Sequence, residues 1–191
     1  MPAPVKISVR PEHPDFLDLP WQLPLSQWEP HCERLEEVPR GLSRHPVVFV
    51  NYSGNLYALK ELPPKIAQRE YEILRQIEDM RLPGVIPAGH LTTQTSQYEA
   101  SILITRYLDR SLPYRSLFMR SSLENYRAHL LDAVSGLLVQ LHLVGIFWGD
   151  CSLSYVLFRR DAGALQAYLV DAETAEAHPG RLSPTLRHHE L

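Results

Sequence analysis

The chain has 191 residues, is 45 % hydrophobic and carries a formal net charge of −3. That length suits one domain or somewhat more, and the apolar share is enough to build a core, which excludes disorder of the whole chain. The small net charge leaves no basic field for nucleic acid or an anionic membrane surface.

Residues 1–46 are punctuated by prolines and carry Trp21 and Trp28. They read as an extended segment that packs on a domain through its aromatics, with a proline-rich ligand for a partner as the lesser alternative. From Val47 the pattern changes. Val47-Val48-Phe49-Val50 reads as a buried strand, Ser53-Gly54-Asn55 as a turn, and Leu56-Tyr57-Ala58-Leu59-Lys60 as a second strand. Pro63-Pro64 opens a helix whose apolar residues Ile66, Ile73, Leu74 and Ile77 recur at helical spacing, and Pro83-Gly84 stops it. A short strand near Val85-Ile86, a polar loop from Thr92 to Tyr98 and the strand Ser101-Ile102-Leu103-Ile104-Thr105 follow. A long helix over Leu123 to His142 carries the stripe Leu123, Tyr126, Leu130, Val134, Leu137, Leu138 and Leu141, and Gly145 is placed to end it in a left-handed cap. Two short strands, Tyr155 to Phe158 and Ala167 to Val170, flank the turn Asp161-Ala162-Gly163.

The expected organisation is an N-terminal segment (1–46), a small β-rich half with one helix (47–109) and a helical half with a hairpin (110–191). A cleft between two such halves is a natural ligand site. No run reaches the roughly 18 apolar residues that span a bilayer. The closest, Val134 to Trp148, is interrupted by Ser135, Gln140 and His142. Cys32 and Cys151 have no disulfide or metal spacing, and Met1 to Asp18 lacks an apolar signal core. The expected location is therefore cytoplasmic.

The chemistry concentrates late in the chain. Trp148-Gly149-Asp150 puts an aspartate on a short loop after the long helix, and Val170-Asp171-Ala172-Glu173 puts another at the end of an apolar strand. Two aspartates held that way orient a hydroxyl and bind a magnesium ion, the core of phosphoryl transfer. Taken singly, each polar residue also has an ordinary reading. Lys60 is then a surface lysine, Glu70 part of a solvated helix face with Arg69, Glu72 and Arg75, Asp150 a turn residue and Asp171 a cap. His142 reads as a core or capping histidine, and His188-His189 as no metal site.

In order and spacing, residues Val47 to Glu173 resemble the protein-kinase-like superfamily. Tyr57-Ala58-Leu59-Lys60 resembles the strand with the phosphate-binding lysine, and Arg69-Glu70-Tyr71-Glu72 the helix whose glutamate pairs with it. Ile102 to Asp109 resembles the strand and hinge beside the adenine, which assigns Arg106, Tyr107 and Leu108 to cofactor binding. Gly149-Asp150 and Asp171-Ala172-Glu173 are closer to sugar kinases than to protein kinases. More narrowly the chain resembles the bacterial lipopolysaccharide-kinase-like family, through Asp18-Leu19-Pro20-Trp21, Tyr57 to Leu62 and Gly149-Asp150-Cys151-Ser152-Leu153.

The resemblance implies an α+β, protein-kinase-like fold with a small antiparallel β lobe bearing one helix. It implies ATP and Mg2+ as cofactors and a sugar, lipopolysaccharide-type or other hydroxyl acceptor. Lys60 would hold phosphates, Glu70 would fix its ammonium, Asp171 and Glu173 would bind metal, and Asp150 would orient the hydroxyl.

Three departures feed a rival reading, a degenerate kinase-like module that binds nucleotide or a partner without turnover. Pro39 to Arg44 stands in place of a glycine-rich phosphate loop with only Gly41, leaving Arg40 and Arg44 to supply charge. Tyr155 stands where an asparagine would ligate metal, and a neutral phenol is a poor magnesium ligand. The chain ends at Leu191, where kinase-like folds continue into more helices. That ending implies a truncated helical lobe, with the stripe of the 123–142 helix partly exposed and self-association through that surface.

Overall fold

The computed structural model describes residues 5–38, 43–94, 99–118, 123–161 and 163–190. Two compact units emerge. One is drawn from the N-terminal residues with Ser43–Glu72 and Ile86–Tyr107, the other from Ile73–Val85 and from Leu108 onward.

The first unit is a five-stranded antiparallel sheet of β1 (Val5–Val9), β2 (Val47–Tyr52), β3 (Asn55–Leu62), β4 (Ile86–Gln94) and β5 (Glu99–Arg106), in the order β1-β4-β5-β3-β2. Between β3 and β4 lies helix α1 (Pro64–Asp79), whose residues from Ile73 belong to the second unit. Ser53 and Gly54, at φ 52° and 83°, turn β2 into β3 with the left-handed pair that a tight hairpin needs.

Alternation sorts the two sheet faces. Val50, Tyr57, Leu59, Leu91, Ile102 and Ile104 face a core closed by Phe16, Leu19, Trp21, Leu25 and Trp28. The indole N–H groups stay satisfied inside it. Trp21 donates to Phe16 O at 2.8 Å and Trp28 to Leu23 O at 3.0 Å. Their rings meet edge to face at 5.2 Å, an arrangement that adds about 1 kcal/mol to the burial itself.

Two features differ from the pattern read in the sequence. A strand precedes Val47, since β1 pairs with β4 from Val5↔Thr93 to Val9↔Gly89. And β4 runs on to Gln94, taking in Thr92, whose hydroxyl meets that of Ser101 across the ladder at 2.9 Å. Pro87 and Gly89 resemble breakers, yet they flank a register shift in the pairing with β5, a place where strands accept both residues. A Cβ on Gly89 would lie 2.4 Å from Ser8 O, so close approach of β1 requires glycine there. The rest of the expected polar loop, residues 95–98, lies outside the described residues.

α1 buries Ala67, Glu70, Ile73, Leu74 and Ile77. Its stripe runs through Ala67, and Ile66 stays half-buried. The helix ends at Asp79, ahead of the Pro83-Gly84 stop expected. Arg81 takes a left-handed φ of 56°, and Leu82 donates back to Ile77 O at 2.9 Å, a Schellman-type ending.

The second unit contains β6 (Leu112–Pro113), α2 (Tyr114–Phe118), α3 (Leu123–Leu143), β7 (Ile146–Phe147), β8 (Val156–Asp161), β9 (Ala164–Leu169), β10 (Glu176–Ala177) and α4 (Pro184–His189). β6-β8-β9 form one small sheet and β7-β10 another. α3 packs on β9 and β7. Its residues Leu130, Val134, Leu137, Leu138 and Leu141 are buried, which corrects the expected exposure of that stripe. Leu182, itself buried, donates to His142 O at 3.0 Å and draws the following segment over the helix end. The apolar residues of α3 that do face solvent are Leu131, Val139 and Leu143. The side chains of Leu123 and Tyr126 lie outside the described residues.

Candidate functional site

Lys60 sits on β3. Antiparallel partners share a face, so Val47, Phe49, Ala58 and Lys60 occupy the side of the sheet opposite the aromatic core. Lys60 Nζ lies 3.1 and 3.3 Å from the two carboxylate oxygens of Glu70 on α1. The Glu70 side chain is 0 % exposed and that of Lys60 13 %. A carboxylate tolerates such burial only when paired. The pair therefore holds the Lys60 ammonium at a fixed point on that face of the sheet.

The three hinge candidates are placed as follows. Arg106 ends β5, and its guanidinium donates to Asn55 Oδ1 at 3.0 Å. Tyr107 donates its backbone N–H to Leu56 O at 2.8 Å, and its ring meets Phe49 edge to face at 5.7 Å. Leu108 O accepts from Ser111 N at 3.3 Å. Pro39 to Leu42 of the arginine-bearing loop lie outside the described residues.

In the second unit the path to Asp150 starts at Gly145, whose φ of +85° ends α3. β7 then pairs with β10, Phe147 opposite Glu176. Trp148 is fully buried and donates its indole N–H to Asp171 O at 2.9 Å. Gly149, at φ +86°, lies so close to the facing turn that a Cβ would meet Thr174 O at 2.8 Å. Asp150 donates its backbone N–H to Thr174 Oγ1 at 3.0 Å, and that hydroxyl donates to Trp148 O at 2.9 Å. Tyr155 ends a short 3-10 turn, Leu153–Tyr155, and its carbonyl accepts from Val170 N at 3.1 Å. Asp171 Oδ1 accepts from Glu173 N at 3.0 Å, which fixes the orientation of that carboxylate. The segments bearing Asp150 and Asp171 are thus laced together by Trp148, Thr174 and Tyr155. Asp150, Asp171 and Glu173 all remain half-buried and open to solvent.

Burial, and then the charges of Glu190 and Asp150, push the Cys151 thiol up to about 11. The loop is a place where negative charge accumulates, which suits a cation or a proton donor. Among the described residues no group of three or more His, Cys, Asp or Glu forms a metal cage. The carboxylates of Asp171 and Glu173 are nonetheless the hard oxygen donors that magnesium takes, and magnesium characteristically completes its shell with water and substrate phosphates. The donor set fits that ion.

Thr174 and Glu190 carry the loop, and neither stands out in the sequence. Thr174 merely follows Asp171-Ala172-Glu173, and Glu190 follows a short basic stretch that reads as an ordinary tail. His142 reads as packing in the sequence, and the structure pairs it with Glu190 at 2.5 Å.

A family model described as the lipopolysaccharide kinase (Kdo/WaaP) family matches residues 51–181, more than half the chain and a span that includes Lys60, Glu70, Asp150, Asp171 and Glu173. Among solved structures, one described as WaaP in complex with acyl carrier protein is similar over 97 % of this chain and 78 % of that one, with a TM-score of 0.63 and 14 % identity. At that identity the likeness speaks for the fold. No curated protein matches the sequence.

Proposed function

The chain belongs to the lipopolysaccharide kinase (Kdo/WaaP) family, and on that premise we propose that it is an ATP- and magnesium-dependent phosphotransferase acting on a hydroxyl acceptor of sugar or lipopolysaccharide type. The observation that carries the proposal is the Lys60–Glu70 pair, in which a fully enclosed carboxylate holds the lysine ammonium.

In this reading Lys60 binds the nucleotide phosphates as a point charge, and Glu70 keeps it from collapsing elsewhere. The face bearing Phe49 and Ala58, with Arg106 to Leu108, receives the base. Asp171 and Glu173 would hold the magnesium ion, which would supply charge that screens the phosphates. Asp150 orients the acceptor hydroxyl and takes its proton as the new phosphorus–oxygen bond forms, with the nucleoside diphosphate leaving. Thr174 and Trp148 keep the two aspartate segments in register.

No helix among the described residues is long and apolar enough to cross a membrane, and both cysteines are free. We assign the activity to the cytoplasm, where ATP is supplied. Leu131, Val139 and Leu143 offer a face for a second copy, and a monomer by light scattering at every concentration would remove that assignment.

Titration with ATP and magnesium should stabilise the folded state by mass action, by about 2.7 kcal/mol at a hundred times the dissociation constant, and so raise the melting temperature. Lys60→Ala should abolish the shift. No shift at millimolar nucleotide refutes nucleotide binding. The rival reading, binding without turnover, is favoured by Tyr155 at the position of a metal-ligating asparagine, and it predicts a shift with no nucleotide consumed.

A further inference from the structure

Glu190 follows α4, and its side chain is 0 % exposed. One carboxylate oxygen lies 2.5 Å from His142 Nε2, and the other accepts the backbone N–H of Gly149 at 2.6 Å. A carboxylate only accepts, so the imidazole Nε2–H donates. His142 stands in the last turn of α3 and is itself 8 % exposed at the side chain. The carboxylate thus ties a helix end to the loop that carries Asp150.

The α4 segment is also tied to α3 and capped by bonds other than that one. Leu182 N already donates to His142 O at 3.0 Å, and Ser183 Oγ already caps the helix by accepting from Leu186 N at 3.3 Å. The Glu190 carboxylate adds a contact to the loop. There it works together with Thr174. The amide of Gly149 is held by Glu190, and the next amide, that of Asp150, by Thr174 Oγ1. Two successive N–H groups pinned to two different segments leave the peptide before Asp150 no freedom to rotate. Gly149 at φ +86° has a backbone that would otherwise be the softest in the loop.

We propose that Glu190 is a positioning residue, a latch whose carboxylate sets the Gly149–Asp150 backbone and through it the place of the Asp150 side chain. The proposal rests on the reading of Asp150 as the group that handles the acceptor hydroxyl. It makes residues after α4 part of the machinery, acting through His142 and Gly149 and touching no substrate.

The test uses the full chain with Glu190→Gln and Glu190→Ala, read by amide hydrogen exchange resolved at Gly149 and by ATP turnover in magnesium. Exchange at Leu137 to Leu141, in the buried part of α3, serves as the folding control. In Glu190→Ala the Gly149 amide should exchange about 10- to 100-fold faster, the cost of freeing one charge-assisted hydrogen bond, while α3 stays protected. Turnover should fall about a hundredfold in kcat, the penalty of displacing a reacting group by an ångström. KM for ATP should stay within a factor of about two, because Lys60 is untouched. Glu190→Gln keeps an acceptor for Gly149 but turns an NH2 toward His142, so it should fall between the two, and it serves if the alanine variant fails to fold.

Unchanged exchange at Gly149 in a folded variant overturns the latch. Faster exchange with unaltered kcat overturns its positioning role. A wild-type chain that binds ATP without consuming it refutes the phosphotransferase reading instead, and the latch then stands or falls on the exchange measurement.

Discussion

Gly145→Ala should be among the most damaging single changes in the second unit. Gly145 adopts φ +85°, and a Cβ there would sit 2.1 Å from Gly180 O and 2.3 Å from His178 O. The left-handed backbone alone costs a non-glycine residue about 1 kcal/mol. The contact costs more, because both neighbours are backbone and cannot swing aside as a flexible side chain would. Relief requires the 178–180 segment to retreat by about an ångström from normal contact distance. That retreat breaks the bond from His178 N to Gly145 O, now 2.8 Å, and loosens the bond from Leu182 N to His142 O and the Ala177↔Ile146 pairing. Two or three net hydrogen bonds at about 1 kcal/mol each bring the total to roughly 3–4 kcal/mol. For a chain of this size each kcal/mol is about 2–4 °C, so the melting temperature should drop by on the order of 10 °C. Gly163→Ala is the control. Its φ is +86°, almost the same, but nothing lies within 4 Å of the added Cβ. Only the backbone term applies there, about 1 kcal/mol and about 2–4 °C. Differential scanning calorimetry of both variants decides the matter. Equal shifts would mean that the close approach of residues 178–180 to the end of α3 is not a feature of the folded protein.

Thr174→Val removes the hydroxyl that joins Asp150 N to Trp148 O. It should destabilise by about 1–3 kcal/mol in urea denaturation, and Thr174→Ser should recover most of that. A serine variant as damaged as the valine one would show that the methyl and not the hydroxyl matters. Cys151, with its thiol pushed up to about 11, should resist alkylation in a Cys32→Ser background. Only the thiolate reacts, so the rate should climb about tenfold per pH unit from pH 8 and level off near pH 11, and a plateau below pH 9 would contradict the buried, negatively charged loop. Tyr155→Asn should raise ATP hydrolysis by on the order of a hundredfold if metal ligation is the weak point, with Asp150→Asn and Asp171→Asn both silent in magnesium and in manganese. No gain while nucleotide still binds would favour the binding-module reading.

The elements that were legible from residues alone are those set by near neighbours. Ser53-Gly54 turns β2 into β3 because two left-handed residues fit a hairpin, Pro64 suits a first helical turn, and the apolar stripe of α3 ends where Gly145 can cap it. The candidate residues Lys60, Glu70, Asp150, Asp171 and Glu173 were proposed from the order of short motifs along the chain. Lys60 and Glu70 lie ten positions apart, close enough that a strand followed by a helix brings them together. What the sequence could not disclose depends on partners far along the chain. β1 is a strand only because β4 offers it an edge, Val5 opposite Thr93. β4 keeps its pairing through Pro87 and Gly89 only because β5 absorbs the shift. The stripe of α3 from Leu130 to Leu141 is buried, against expectation, because β9, β7 and the segment through Leu182 close over it. The loop before Asp150 is held by Thr174 and Glu190, 24 and 41 residues away from the amides they bind. Local preferences act through a few torsions and leave a periodic trace in the chain. A hydrogen bond between distant residues leaves none, since any carboxylate or hydroxyl could make it and only the folded path decides which one arrives.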